Sequence, residues 1–115
     1  MITLEKVTKI YPLAKQPAVI AVREVSLEIQ RGEFVIVTGR SGSGKTTLLN
    51  LASGLTQPTS GRVEWEDVDL WSLKDRERSR LRNQKVGFVF QFPSLLPSLT
   101  VLENVTLPTI FHKNG

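Results

Sequence analysis

Apolar and polar residues alternate over much of the first thirty positions, which predicts two β-strands. Residues 2–8 form the first, and residues 20–30 form the second. Between them, residues 11–17 carry two prolines and predict a loop. Residues 30–33 predict a turn that leads into the next element. The core-facing positions of the second strand are Val22, Val25, Leu27 and Ile29.

A different pattern follows. Residues 33–38 are a short apolar run rich in β-branched side chains, typical of a buried strand. Residues 46–55 have helical periodicity, and residues 57–61 give a dense turn signal before a short strand at 62–65. The expected apolar face of the helix consists of Leu48, Leu49, Leu51, Ala52 and Leu55.

The last third of the chain predicts helices around one more strand. Residues 75–83 form a polar helix, and residues 86–90 form a second buried strand that ends at Gln91. Thr100 opens another helix, where Glu103 completes a capping box.

The loop between the strand at 33–38 and the following helix carries the most specific chemical signal. Residues 39–46, GRSGSGKT, match the pattern G-x-x-x-x-G-K-[ST] at every fixed position. In such loops successive backbone N–H groups surround a polyphosphate, and the glycines permit the tight curl. The strand, loop and helix occur in the order that this site requires. The sequence therefore predicts a site for a nucleoside triphosphate.

Two side chains of this loop have distinct expected roles. Lys45 supplies a positive charge for the β- and γ-phosphates, and the Thr46 hydroxyl is placed to ligate the Mg²⁺ that bridges them. The positive end of the following helix dipole points to the same phosphates.

Charge is concentrated in one segment. Residues 74–85 contain six basic and two acidic side chains, which equals the whole net charge of +4. We interpret this segment as a solvated helix face with Leu73 and Leu81 turned inward; nucleic acid or an anionic membrane surface is the alternative. The chain has no cysteine, which fits a reducing compartment, and no apolar run of the roughly 20 residues that a membrane span needs. We expect a soluble domain that reaches a membrane only through a partner.

The order of these motifs resembles that of ATP-binding-cassette ATPases, and in particular the lipoprotein-release and macrolide-export subunits. The resemblance rests on Tyr11, the phosphate loop, the turn at 58–61 and the segments 86–91 and 95–105. It implies an α/β fold: a P-loop core with an N-terminal antiparallel β subdomain, as part of one nucleotide-binding domain. The expected divisions are 1–38 for the antiparallel lead-in and strand, 39–90 for the P-loop core, and 91–115 for the Q-loop and the start of a helical subdomain.

The resemblance also implies roles for individual residues. Tyr11 would stack on adenine. Gln91, in the Q-loop, would reach Mg²⁺ or the attacking water, so that Lys45 and Gln91 are the catalytic candidates and Thr46 and Gln91 the metal ligands. Phe92, Leu95 and Leu96 would receive a helix of the membrane subunit, and His112 would lie on the surface. The expected ATP contacts are Tyr11, Gly39, Arg40, Ser41, Gly42, Ser43, Gly44, Lys45, Thr46 and Thr47.

Two positions depart from the family pattern, and one set of groups is missing. Arg40 stands where proline is common, and Glu66 or Asp67 where glycine is common. The signature segment, the catalytic glutamate and the switch histidine of the family do not occur within 115 residues. We therefore expect ATP and Mg²⁺ binding at most from this stretch, with hydrolysis in a complete dimeric domain.

The implied partners are a membrane permease and a second nucleotide-binding subunit, at the cytoplasmic face of the inner membrane, with no nucleic acid. Two alternatives remain open at this point. One is another P-loop enzyme such as a small-molecule kinase, which the long antiparallel lead-in disfavours. The other is a non-transport ATPase of DNA repair or translation, for which the basic segment is the only support.

Overall fold

The computed structural model describes residues 1–40, 42–89 and 95–110, and gives only the backbone for 108–110. The chain divides into two compact units, Met1–Lys74 and Asp75–Gly115. Ser41, Phe90, Gln91, Phe92 and His112 lie outside the described residues.

A long β-hairpin forms most of the first unit. Strand β1 (Ile2–Leu13) pairs antiparallel with β2 (Gln16–Ile29), and only residues 14–15 turn between them. The prediction of a loop at 11–17 was therefore wrong, because Tyr11 pairs with Val19 and the ladder continues to the turn. Neither proline of this segment occupies a paired position, so the missing N–H groups are tolerated near the strand ends.

The hairpin belongs to a four-stranded sheet with the strand order β2-β1-β3-β4. Strand β3 (Ser60–Trp65) pairs antiparallel with β1, and the two-residue β4 (Val68–Asp69) pairs with β3. A 3₁₀ turn, Leu70–Ser72, follows. The short strand expected at 62–65 is confirmed and begins two residues earlier, whereas β4 and the 3₁₀ turn were not predicted.

The turn between β3 and β4 explains one departure from the family pattern. Glu66 and Asp67 have φ angles of 48° and 67°, in the left-handed region that glycine adopts most easily. The Glu66 carboxylate accepts a hydrogen bond from the N-terminal amine at 2.5 Å and lies 3.0 Å from Arg31. The bond from the amine lowers the pKa of Glu66, and Arg31 adds to this effect. Both contacts lie at an exposed turn.

Helix α1 (Lys45–Ala52) packs its end against the sheet. It is shorter than predicted, because Ser53 is its C-cap and the next residue, Gly54, has a left-handed φ of 77°. The buried Trp65 indole donates a hydrogen bond of 2.9 Å to the Ala52 carbonyl, which ties β3 to the helix end. Leu49 and Leu55 are exposed, so the buried apolar face of the helix is narrower than predicted. The buried apolar residues are Leu4, Val7, Val22, Leu51, Ala52, Val63, Trp65 and Leu70.

The residues at 33–38 form no strand in the structure, contrary to the prediction. Phe34 and Ile36 are 88% and 72% exposed. The predicted turn before them is confirmed, since the Glu33 N–H bonds to the Gln30 carbonyl at 3.2 Å. A strand needs a neighbour to pair with, and none of the described strands pairs with this segment.

The second unit contains α2 (Asp75–Lys85) and α3 (Val101–Ile110). None of the α2 residues is buried, which agrees with the predicted solvated face. Leu73 and Leu81, which were expected to turn inward, are only partly buried. The capping box of α3 is confirmed: the Glu103 N–H bonds to Thr100 Oγ1 at 3.1 Å, and Glu103 Oε1 accepts from the Thr100 N–H at 2.9 Å.

The strand predicted at 86–90 is not formed over 86–89, where Val89 is fully exposed. As at residues 33–38, the apolar run has strand propensity but no strand among the described residues to pair with. Among the described helices, none is both long and apolar enough to cross a membrane.

Candidate phosphate-binding site

The phosphate loop leads directly into helix α1. Gly44 has φ 92° and ψ 11°, and its carbonyl accepts the first helical hydrogen bond, from Leu48 at 2.8 Å. The N–H groups of Thr46 and Thr47 have no acceptor among the described residues. Such unpaired donors at a helix start, with the positive end of the helix dipole, favour an anion.

Strand β2 lies directly against this helix start. A Cβ atom added to Gly44 would be 2.3 Å from the Ala21 carbonyl oxygen and 3.7 Å from Val22 Cγ2. Only glycine fits so close a backbone approach at this φ angle. The contact therefore joins the end of the loop to the middle of the hairpin.

Lys45 folds back over its own loop. Its Nζ donates hydrogen bonds to the carbonyl oxygens of Gly39 and, at 3.1 Å, Arg40. The Ser43 N–H bonds to the same Arg40 carbonyl at 3.1 Å, which closes the loop. The ammonium is thus held at the loop mouth by exposed carbonyls, which a phosphate oxygen can replace as a stronger, charged acceptor.

A pocket of about 320 Å³ opens beside the loop. Two of its lining side chains are cationic, Lys45 and Arg23, and none of the described lining residues is acidic. Arg23 is exposed and makes no ion pair with the described residues. The pocket is lined by Ala21, Val22, Arg23, Val25, Val37, Thr38, Gly39, Ser43, Gly44, Lys45 and Leu48.

This lining fits a polyphosphate, because it carries two cations and no carboxylate. The free N–H groups of Thr46 and Thr47 follow directly after the lining residue Lys45 at the start of α1. Thr46, the predicted Mg²⁺ ligand, is exposed at the start of α1 and is not among the residues that line this pocket. The described residues contain no cluster of three acidic, histidine or cysteine side chains that could hold a metal. A Mg²⁺ ion here would take most of its ligands from phosphate and water, with the exposed Thr46 hydroxyl as the protein ligand.

The structure places Tyr11 on the same hairpin but not in the pocket lining. It pairs with Val19, two residues before Ala21, which does line the pocket. Tyr11 is 39% exposed, so its side chain is partly accessible to solvent. Gln91 belongs to the second unit and lies outside the described residues, while Leu95 and Leu96 are exposed.

The contribution of β2 was missed from the sequence. Ala21, Val22 and Arg23 line the pocket, yet they occur in an ordinary alternating strand with no motif. A bulge helps to set their position: Glu24 has φ 43°, and its N–H bonds to Thr8 Oγ1 at 2.9 Å. The only sequence signal for Arg23 is that it is a basic residue in a mostly apolar and acidic stretch.

Comparison with known proteins gives a family match. The family model described as ABC transporter matches residues 22–114. The ABC transporter ATP-binding protein MJ0796 of Methanocaldococcus jannaschii is 45% identical over 115 residues, which is 100% of this chain and 48% of that protein. The lipoprotein-releasing system ATP-binding protein LolD 1 of Chlorobium chlorochromatii is 43% identical over 112 residues, which is 97% of this chain and 46% of that protein.

A solved structure is similar as well. The dimeric ATP-binding cassette MJ0796, in a post-hydrolysis state bound to ADP and Pi, superposes with a TM-score of 0.88 at 44% identity. The match covers 100% of this chain and 49% of that one. The chain therefore spans about half the length of the relatives it matches.

Proposed function

Because this chain belongs to the ABC transporter family, we propose that it is the ATP-binding part of a transporter's nucleotide-binding subunit. The family binds ATP, usually with Mg²⁺, and its complete domains hydrolyse it. The observation that carries the proposal for this chain is the pocket in which Lys45, Arg23 and the start of α1 converge.

The chain's own residues would divide the work of binding. The N–H groups at the start of α1 hold the phosphates, and the Lys45 ammonium moves from the Gly39 and Arg40 carbonyls to the β- and γ-phosphate oxygens. The Thr46 hydroxyl would hold Mg²⁺, which would supply neutralisation of the phosphate charge. The Tyr11 ring stacks on adenine. We propose that Gln91 would reach Mg²⁺ or the attacking water.

Hydrolysis requires further groups. A water must be oriented or deprotonated, yet the described lining of the pocket carries no carboxylate to do so. We propose that these groups come from the remainder of the cassette and from a second subunit that closes over the nucleotide. The dimeric state of the similar MJ0796 structure supports this arrangement.

The transport role rests on the relatives. Matches to lipoprotein-releasing ATP-binding proteins from several bacteria favour an export or lipoprotein-release subunit over the kinase and DNA-repair alternatives. On this proposal a membrane permease is the second partner, and the subunit works at the cytoplasmic face of the membrane.

The test is a calorimetric titration with MgATP. Lys45→Ala should weaken binding about 10- to 150-fold, the factor expected for a hydrogen bond to a charged group worth about 1.5–3 kcal/mol. Lys15→Ala removes the same charge from the exposed hairpin turn and should leave affinity unchanged. Equal affinities for the parent chain and Lys45→Ala would contradict the proposed site.

A further inference from the structure

The adenine candidate Tyr11 has a cation on one face of its ring. Lys9 precedes it by two positions on β1, and its Nζ lies 5.2 Å from the ring centroid. At this distance a lysine ammonium is attracted to the negative face of an aromatic ring. One face of Tyr11 is thus covered by a side chain of the same strand.

The position of this ammonium is fixed by a second contact. Lys9 Nζ donates a hydrogen bond of 2.9 Å to the Gln57 carbonyl. The segment after Gln57 is joined to β1, because the Thr59 N–H bonds to the Thr8 carbonyl at 2.8 Å and Thr59 Oγ1 accepts from Ile10 at 2.9 Å. The acceptor of Lys9 is therefore held at a constant place beside the ring.

We propose that Lys9 is a positioning residue for nucleotide binding: it holds the Tyr11 ring in the orientation that leaves its opposite face ready for adenine. The inference rests on the proposed function. A ring that is already oriented loses less freedom when a base stacks on it. A cation on one face also draws electron density from the other, which favours contact with an electron-rich purine.

The experiment compares MgATP with magnesium tripolyphosphate, which has the phosphates but no base, on the 115-residue chain. Lys9→Met keeps the bulk of the side chain and removes its charge, Lys9→Arg keeps the charge, and Lys15→Met is the matched control. Each is also made with Tyr11→Ala. Tyr11 is the single tyrosine, so incorporation of 3-fluorotyrosine gives one ¹⁹F resonance that reports on this ring.

Lys9→Met should weaken MgATP binding about two- to fivefold, the factor for an exposed cation–π contact. It should leave tripolyphosphate binding unchanged and have no effect in the Tyr11→Ala background. The ¹⁹F resonance of the free chain should move in Lys9→Met, return with Lys9→Arg and stay in place with Lys15→Met.

Three results would overturn the inference, and they are distinguishable. If Tyr11→Ala weakens MgATP binding but Lys9→Met does not, Lys9 has no positioning role. If Lys9→Met weakens tripolyphosphate binding equally, the lysine contacts phosphate directly. If neither MgATP nor tripolyphosphate binds the parent chain, the proposed function fails and this inference fails with it.

Discussion

Substitution of Gly44 by alanine tests the contact between the phosphate loop and β2. The new Cβ would lie 2.3 Å from the Ala21 carbonyl oxygen, a backbone atom that cannot rotate away. The backbone at φ 92° adds a cost of about 1–2 kcal/mol for any residue with a Cβ. Forced movement of packed backbone adds about 1–3 kcal/mol. We expect a total loss of unfolding free energy of about 2–5 kcal/mol.

Gly42→Ala is the matched control. Gly42 also has a positive φ, 81°, but a Cβ there meets nothing within 4 Å. It should carry only the backbone cost, so the two variants should differ by about 1–3 kcal/mol. Urea unfolding followed by circular dichroism measures this difference as a shift of the midpoint by about 1 M.

Binding adds a second reading of the same contact. Displacing the start of α1 from β2 distorts the pocket that Arg23, Gly44 and Lys45 line, so Gly44→Ala should also lose most MgATP affinity in calorimetry. Equal stability for the Gly44→Ala and Gly42→Ala variants would refute the close approach of β2 to the loop.

Three further predictions concern other parts of the chain. Arg23→Gln should weaken MgATP binding about two- to fivefold, with a larger effect at low salt. Arg76→Gln on α2 should leave MgATP binding unchanged. Equal effects of the two substitutions in a salt-series titration would show that Arg23 is not part of the site. Trp65→Phe leaves the Ala52 carbonyl without its buried donor and should lower the unfolding free energy by about 1–3 kcal/mol in urea, whereas an unchanged midpoint would show that this bond does not matter. The hydrogen bond from the Thr100 N–H lowers the pKa of Glu103. The capping box should therefore stabilise α3 at pH values above the usual glutamate pKa of about 4.3. This stabilisation should be lost as the pH falls through the lower pKa that Glu103 has in the folded chain. The Thr100 amide resonance should follow that transition and stay constant in Glu103→Gln; a pH-independent resonance in the parent chain would contradict it.

Local signals predicted the features that depend on neighbouring residues. The phosphate-loop pattern placed Gly44, Lys45 and Thr46 at the start of a helix, and the Thr100 and Glu103 pair predicted the capping box. Both are found because backbone angles and short-range hydrogen bonds determine them.

Features that depend on distant partners were not predictable in the same way. The apolar run containing Phe34 and Ile36 has the propensity of a buried strand, but a strand forms only where another strand pairs with it. Arg23 reaches the pocket through the register of the hairpin and the bulge at Glu24, neither of which leaves a motif in the sequence. Pro12 and Pro17 indicated a loop, yet the ladder accommodates both at positions that need no N–H donor.

We propose that MgATP binds where the phosphate loop, the start of α1 and β2 meet. Amide chemical-shift mapping of the ¹⁵N-labelled chain during a MgATP titration tests it most directly. We predict saturable shifts at Gly42, Gly44, Lys45 and Thr46 and at the facing residues of β2, with α2 unaffected. Shifts confined to the basic helix α2, or no saturable shifts at the loop, would contradict the account.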